Sequence, residues 1–144
     1  MTIAASFNAA GPGSWHADAV SLSCLIVDDS ASFLEAAERL LERQGLTVAG
    51  VASSAEEALA RTRELRPDVV LVDLVLGDAS GFDLARRLAA WGARRPTVIL
   101  VSTHAESDFA DLIAEAPAAG FLSKAELSAD AIRRLAGVSS RPGT

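Results

Sequence analysis

A doubly wound α/β fold, with five parallel strands in the order 2-1-3-4-5 and helices on both faces, follows from three features of the sequence. Short apolar runs alternate five times with longer segments of helical period. Three of the runs are almost continuous in Val, Ile and Leu, the pattern of strands buried on both faces. The segments between them are long enough for the crossover helices that parallel strands require, and such crossovers are right-handed.

The strands are predicted at Leu22–Val27, Val48–Val51, Val69–Val72, Val98–Val101 and Gly120–Leu122. After the first, Phe33, Leu34, Ala37, Leu40 and Leu41 recur at helical spacing, with Ser32-x-x-Glu35 as a capping box and Gly45 as the stop. Ser54-x-x-Glu57 opens a second helix, and Pro67 follows its end. Leu84, Leu88 and Trp91 form the stripe of a third, closed by Gly92. Phe109, Leu112, Ile113 and Ala116 mark a fourth before Pro117, and Ser128 caps a fifth that carries Ile132 and Leu135 up to Gly137. Residues 1–21, rich in Ala, Gly, Ser and Asn around Gly11-Pro12-Gly13, read as a flexible leader, 22–137 as one folded domain and 138–144 as a short tail.

A chain of 144 residues, 50% apolar, suits one domain with a sizeable core. Its net charge of -6 argues against nucleic acid or an anionic membrane as the main partner, since either calls for a basic surface. The single cysteine, Cys24, has no internal disulfide partner and lies in an apolar run, which fits a reducing cytoplasm. No apolar stretch approaches the roughly 20 residues of a membrane span, and no secretory signal opens the chain.

In an open sheet of this order, ligands bind beyond the carboxyl ends of the strands where the order reverses, here between strands one and three. Strand one runs into Asp28-Asp29 and strand three into Asp73, so three carboxylates are sent to one crevice. Hard oxygen donors crowded in this way call for a cation, and Mg²⁺ commonly joins such carboxylates to a phosphate. Strand four ends in Ser102-Thr103 and strand five is followed by Ser123-Lys124, adding a hydroxyl and an ammonium suited to phosphoryl oxygens. Singly, these residues are ordinary caps or solvated charges. Their joint arrival at one rim is not ordinary, because Lys124 is the only lysine among 13 basic residues.

These segments resemble the receiver domain of two-component response regulators, a flavodoxin-like (βα)5 family. The matching stretches are Leu25-Ile26-Val27-Asp28-Asp29, Val70-Leu71-Val72-Asp73-Leu74, Ser80-Gly81-Phe82, Ile99-Leu100-Val101-Ser102 and Gly120-Phe121-Leu122-Ser123-Lys124. The resemblance implies Asp73 as phosphoacceptor, with Asp28, Asp29, Asp73 and the backbone carbonyl of Val75 as Mg²⁺ ligands. It implies Lys124 as the phosphate-pairing cation, Ser102 as the switch hydroxyl, with Thr103 beside it as the other hydroxyl, and Phe121 as the switch aromatic. Implied partners are a sensor histidine kinase or histidine phosphotransfer protein and a downstream protein, with homodimerisation through helix four, strand five and helix five as a further outcome. Only seven residues follow Gly137, so output is expected through another protein, as messenger, relay or phosphate sink. The sequence departs from the family at Ala125 and Gly77, where proline is common, and at Thr103, where a small residue is usual. An aspartate-nucleophile phosphatase of the haloacid type would space its two aspartates by one residue, whereas Asp28 and Asp29 are adjacent.

Overall fold

Five strands line up side by side because their neighbours in the sheet and the helices above and below leave the central ones no contact with water. The computed structural model describes residues 22–104 and 106–137; the expected leader and tail lie outside the described residues. The strands are β1 (Ser23–Val27), β2 (Thr47–Ala52), β3 (Val69–Asp73), β4 (Thr97–Ser102) and β5 (Gly120–Ser123). All neighbours are parallel and the order is β2-β1-β3-β4-β5, as the sequence predicts. Between them run α1 (Ala31–Arg43), α2 (Ala55–Leu65), α3 (Gly81–Ala89), α4 (Ala110–Glu115) and α5 (Ala129–Leu135).

Burial follows position in the sheet. Every residue of β3 is buried, as is β4 from Val98 onward, whereas the edge strands β2 and β5 are mostly half-exposed. Side chains alternate between two cores. One packs Leu34, Ala37 and Leu41 of α1 with Ala131 and Ile132 of α5 against Ile26, Leu71 and Ile99. The other packs Ala58 and Leu59 of α2 with Leu84, Ala85 and Leu88 of α3 against Leu25, Val70 and Leu100. Each such aliphatic side chain contributes about 1.5–3 kcal/mol by leaving water.

Three local features differ from expectation. The cap of α1 is Ser30, whose hydroxyl accepts from the Phe33 amide at 3.3 Å, and not Ser32. The cause is Asp28: its Oδ1 accepts the Ser30 amide at 2.8 Å and turns the chain directly out of β1, so the helix starts at Ala31. Glu35 then lies too far along to cap and pairs with Arg39 at 3.5 Å, both exposed. The stripe predicted for α4 is broken: Phe109 and Ile113 pack on the core, but Leu112 is 51% exposed because the helix is only 6 residues long. A two-residue ladder, Val75–Leu76 with Ala79–Ser80, joins β3 to α3 and has no counterpart in the sequence reading. By contrast, Ser54 and Ser128 cap α2 and α5 as expected.

The caps make a direct test. Ser30→Ala should lower unfolding free energy by about 1 kcal/mol, the usual value of a lost N-cap. Ser32→Ala should change it by less than about half of that, as read from urea denaturation midpoints.

Candidate functional site

The crevice is built by register before any side chain is considered. Val27 of β1 pairs with Val72 of β3, so the next residues, Asp28 and Asp73, emerge side by side at the carboxyl end of the sheet. The connections leaving β1 and β3 diverge there, to β2 on one side and β4 on the other, which opens a cleft above the pair. Asp29 follows Asp28 into this cleft. One carboxylate oxygen from each of Asp28, Asp29 and Asp73 lies within 4.8 Å of the others.

Each acid is held differently. Asp28 is buried, with Oδ1 occupied by the Ser30 amide. Asp29 is exposed, and its Oδ2 accepts the Gly77 amide at 3.0 Å. Gly77 has φ +60°, a left-handed conformation that glycine adopts freely, and a proline there could not donate. Asp73 is 9% exposed, and its Oδ1 meets the Val75 amide at 3.5 Å. The backbone around Asp73 also fixes its neighbour: a Cβ on Gly81 would lie 2.1 Å from the Asp73 carbonyl oxygen, so only glycine lets α3 start there.

Lys124 enters from the end of β5, immediately beyond Ser123. Its ammonium is 2.5 Å from Asp28 Oδ2 and 3.6 Å from Asp73 Oδ2, with its side chain only 16% exposed. It also lies over the Phe33 ring, 4.2 Å from the centroid, an attraction to the ring's negative face. Ala125 keeps an amide that donates to Ser123 Oγ at 3.2 Å, a turn contact closed to the proline common in the family.

One cation does not satisfy this cluster. Asp28 Oδ2 has the ammonium beside it but no well-directed hydrogen bond, and it is the one buried side-chain nitrogen or oxygen so placed among the described residues. Three carboxylates that bring hard oxygen donors within 4.8 Å of one another, with a single ammonium beside two of them, fit a divalent cation of the Mg²⁺ type. Burial, and then the negative charge of Asp28, push the Asp73 carboxyl up from 3.8 to about 6, against the opposing pull of Lys124.

Of the remaining expected residues, Ser102 is buried at the end of β4, where its hydroxyl oxygen accepts the His104 amide at 3.0 Å and sits 3.3 Å from His104 Nδ1. It is thus engaged with His104 and not with the carboxylates. Thr103 is exposed. Phe121 is half-buried on β5 against the α2–α3 core. Val75 is 52% exposed on the short ladder. Sequence reasoning missed Phe33 as a seat for the ammonium, having read it only as part of the α1 stripe, although its place in the first turn after Asp28 pointed toward the rim.

The raised Asp73 carboxyl has a measurable consequence for stability. Because the folded chain holds this proton more tightly than the unfolded one, the associated stabilisation is complete below about pH 4 and is lost as pH rises through about 6. Without divalent cations, Asp73→Asn should therefore raise stability at pH 7, by on the order of 1–3 kcal/mol. It should also flatten the profile between pH 4 and pH 6, measured by urea denaturation in chelator; an Asn variant no more stable than wild type at pH 7 would contradict this.

Comparison with known proteins agrees with this geometry. Residues 24–136 match the family model of the response regulator receiver domain. A protein-glutamate methylesterase/protein-glutamine glutaminase of Anaeromyxobacter dehalogenans is 44% identical over 82 residues, covering 56% of this chain and 23% of that protein. Response regulator GacA of Pseudomonas viridiflava is 36% identical over 103 residues, covering 69% of this chain and 47% of that one. The chain thus spans less than half the length of these curated relatives. Among solved structures, a two-component response regulator of the LuxR family from Aurantimonas sp. superposes with a TM-score of 0.72 at 32% identity, covering 85% of this chain and 91% of that one. Likeness in sequence and in fold runs across the same five strands and the crevice at their ends, and the chain belongs to the response regulator receiver domain family of two-component signalling.

Proposed function

We propose that the protein accepts a phosphoryl group on Asp73 from a phosphohistidine on a sensor histidine kinase or histidine phosphotransfer protein, and signals through a surface that changes when it does. The observation that carries this reading is the Asp73 carboxylate, nine-tenths buried, facing the Lys124 ammonium at 3.6 Å within a triad of acids. An Asp73 oxygen attacks phosphorus in line as the donor P–N bond breaks, and the imidazole leaves with that electron pair. Phosphoryl transfer of this kind is accelerated by positioning and charge neutralisation. Lys124 offsets charge on the transferred oxygens. Mg²⁺, held by Asp28, Asp29, Asp73 and the Val75 carbonyl, supplies the remaining neutralisation when bound.

The product replaces the single carboxylate charge with a phosphoryl group carrying about 1.5 to 2 negative charges, moved outward beside the end of β4. Ser102 responds by giving up its contact with His104 to donate to a phosphoryl oxygen, and the loop after β4 moves with it. Phe121, half-buried on the adjacent strand, then repacks and alters the face made by α4, β5 and α5. A downstream protein, or a second copy of the chain, reads that face. The chain turns over no substrate and acts in the cytoplasm; nucleic acid and membrane are not its partners, in keeping with the net charge of -6.

With Mg²⁺ and a small-molecule acyl phosphate, intact-mass measurement should show one added phosphoryl group, absent in Asp73→Asn and strongly reduced by chelator. Unchanged labelling of Asp73→Asn would refute the assignment. Lys124→Ala should retain part of the labelling, while beryllofluoride no longer shifts the amide resonances around Phe121.

A further inference from the structure

Receiver chemistry leaves the opposite, amino-terminal end of the sheet without a task, yet among the described residues four arginines without a salt-bridge partner gather there. A depression of about 860 Å³ opens between the end of α2, the start of β3, the end of α3 and the start of β4. That volume is within the range of small-molecule sites, about 300–1,000 Å³. Its lining includes Arg63, Arg66, Arg94 and Arg95 around the half-buried Trp91, with Asp68 as the one acid. In a chain of net charge -6 this is an island of opposite sign.

Among the described residues none of the four guanidinium groups has a carboxylate within salt-bridge distance; the ion-paired arginines are Arg39, Arg61, Arg86 and Arg133. Asp68 forms no ion pair with them: its Oδ2 accepts the Ser23 amide at 2.9 Å and faces the Ser23 hydroxyl at 3.3 Å, so its one charge offsets theirs only at a distance. The carboxyl ends of α2 and α3 also point here, each worth about half a negative charge. Set against Asp68 and the two helix ends, four arginines leave a surplus of about two positive charges.

Two of the four cations have side-chain contacts that hold them. Arg63 lies over the Trp91 ring, 5.0 Å from its centroid, an attraction that holds the guanidinium beside the depression. Arg95 donates through one terminal nitrogen to the Gly92 carbonyl at 3.0 Å. Arg66 is the left-handed cap that ends α2, φ +50°, just before Pro67. Gly92, at φ +66°, opens the tight turn Gly92–Arg94 that sets Arg94 and Arg95 in succession on the rim. Rigid guanidinium forks match phosphate oxygens in pairs, and partly fixed ones lose less freedom on binding.

We propose that this depression binds a small anion carrying two or more linked phosphates, either pyrophosphate itself or a nucleoside polyphosphate. A charge surplus near two, spread over four arginines around an open depression of small-molecule size, fits this class better than a single phosphate. An acidic peptide would call for an extended groove. The site lies at the end of the sheet remote from Asp73 and does not depend on phosphoryl transfer there.

The test uses the full chain carrying Trp15→Phe, so that emission reports Trp91, in chelator and about 0.15 M salt, where exposed non-specific attraction is largely screened. Pyrophosphate and ADP are titrated, with calorimetry as a second readout. Saturable binding with Kd below about 1 mM is expected. It should weaken at least about tenfold in Arg66→Gln/Arg94→Gln, and stay unchanged in Arg39→Gln, a solvated cation on α1. Equal affinity for both probes assigns the contacts to the phosphates, and tighter ADP binding adds a nucleoside contact. Absence of saturation by about 10 mM, an equal loss in Arg39→Gln, or saturation by an oligoglutamate peptide but by neither phosphate probe would overturn the proposal.

Discussion

The structure turns on a charge imbalance at the carboxyl end of the sheet: three carboxylates gathered around one ammonium. At a separation of about 4 Å and the screening typical of partly buried sites, each like-charge pair costs on the order of 4 kcal/mol before compensation. Lys124 compensates Asp28 and, more distantly, Asp73, but it cannot serve three acids, and one Asp28 oxygen is left without a directed partner. An apolar sheet end would be more stable. The fold tolerates this one because the strands beneath it are buried on both faces, and because small devices hold each acid apart: the Ser30 amide, the Gly77 amide and the absence of a Cβ on Gly81.

That imbalance is also what makes the site responsive. A metal-free Asp73 whose carboxyl titrates at about 6 is a group poised for change, and any cation entering the crevice acts on the same balance that sets its charge state. The proposed conformational response runs outward along strand ends. Ser102 and Ser123 are paired in register, so the β4 end that carries the hydroxyl lies next to the β5 end, with Lys124 immediately beyond it and Phe121 two residues before Ser123. In the proposed response this adjacency is the route from Ser102 to Phe121, through sheet contacts alone.

Much of this was legible in the sequence, for physical reasons. Strands buried on both faces write themselves as continuous Val, Ile and Leu, so β1, β3 and β4 stood out, and the strand order then sent Asp28, Asp29, Asp73 and Lys124 to one rim. What escaped were features set by a single backbone hydrogen bond or by juxtaposition. The sequence favours Ser32 through its capping-box partner Glu35, and only the Asp28–Ser30 contact moves the cap to Ser30. Leu112 carries the right period but belongs to a helix too short to bring it round to the core. The arginine depression draws on the ends of two helices and the starts of two strands, each of which alone reads as a solvated helix end or turn.

The central claim is that the acid cluster is a divalent-cation site completed by the chain's one lysine. A Mg²⁺ titration followed by amide resonances tests it most directly. The account predicts one saturable event in the millimolar range or tighter, with shifts confined to residues near Asp28, Asp29, Asp73 and Gly77 and abolished in Asp29→Asn. Shifts spread over other acidic surfaces, or a full response that survives Asp29→Asn, would contradict it.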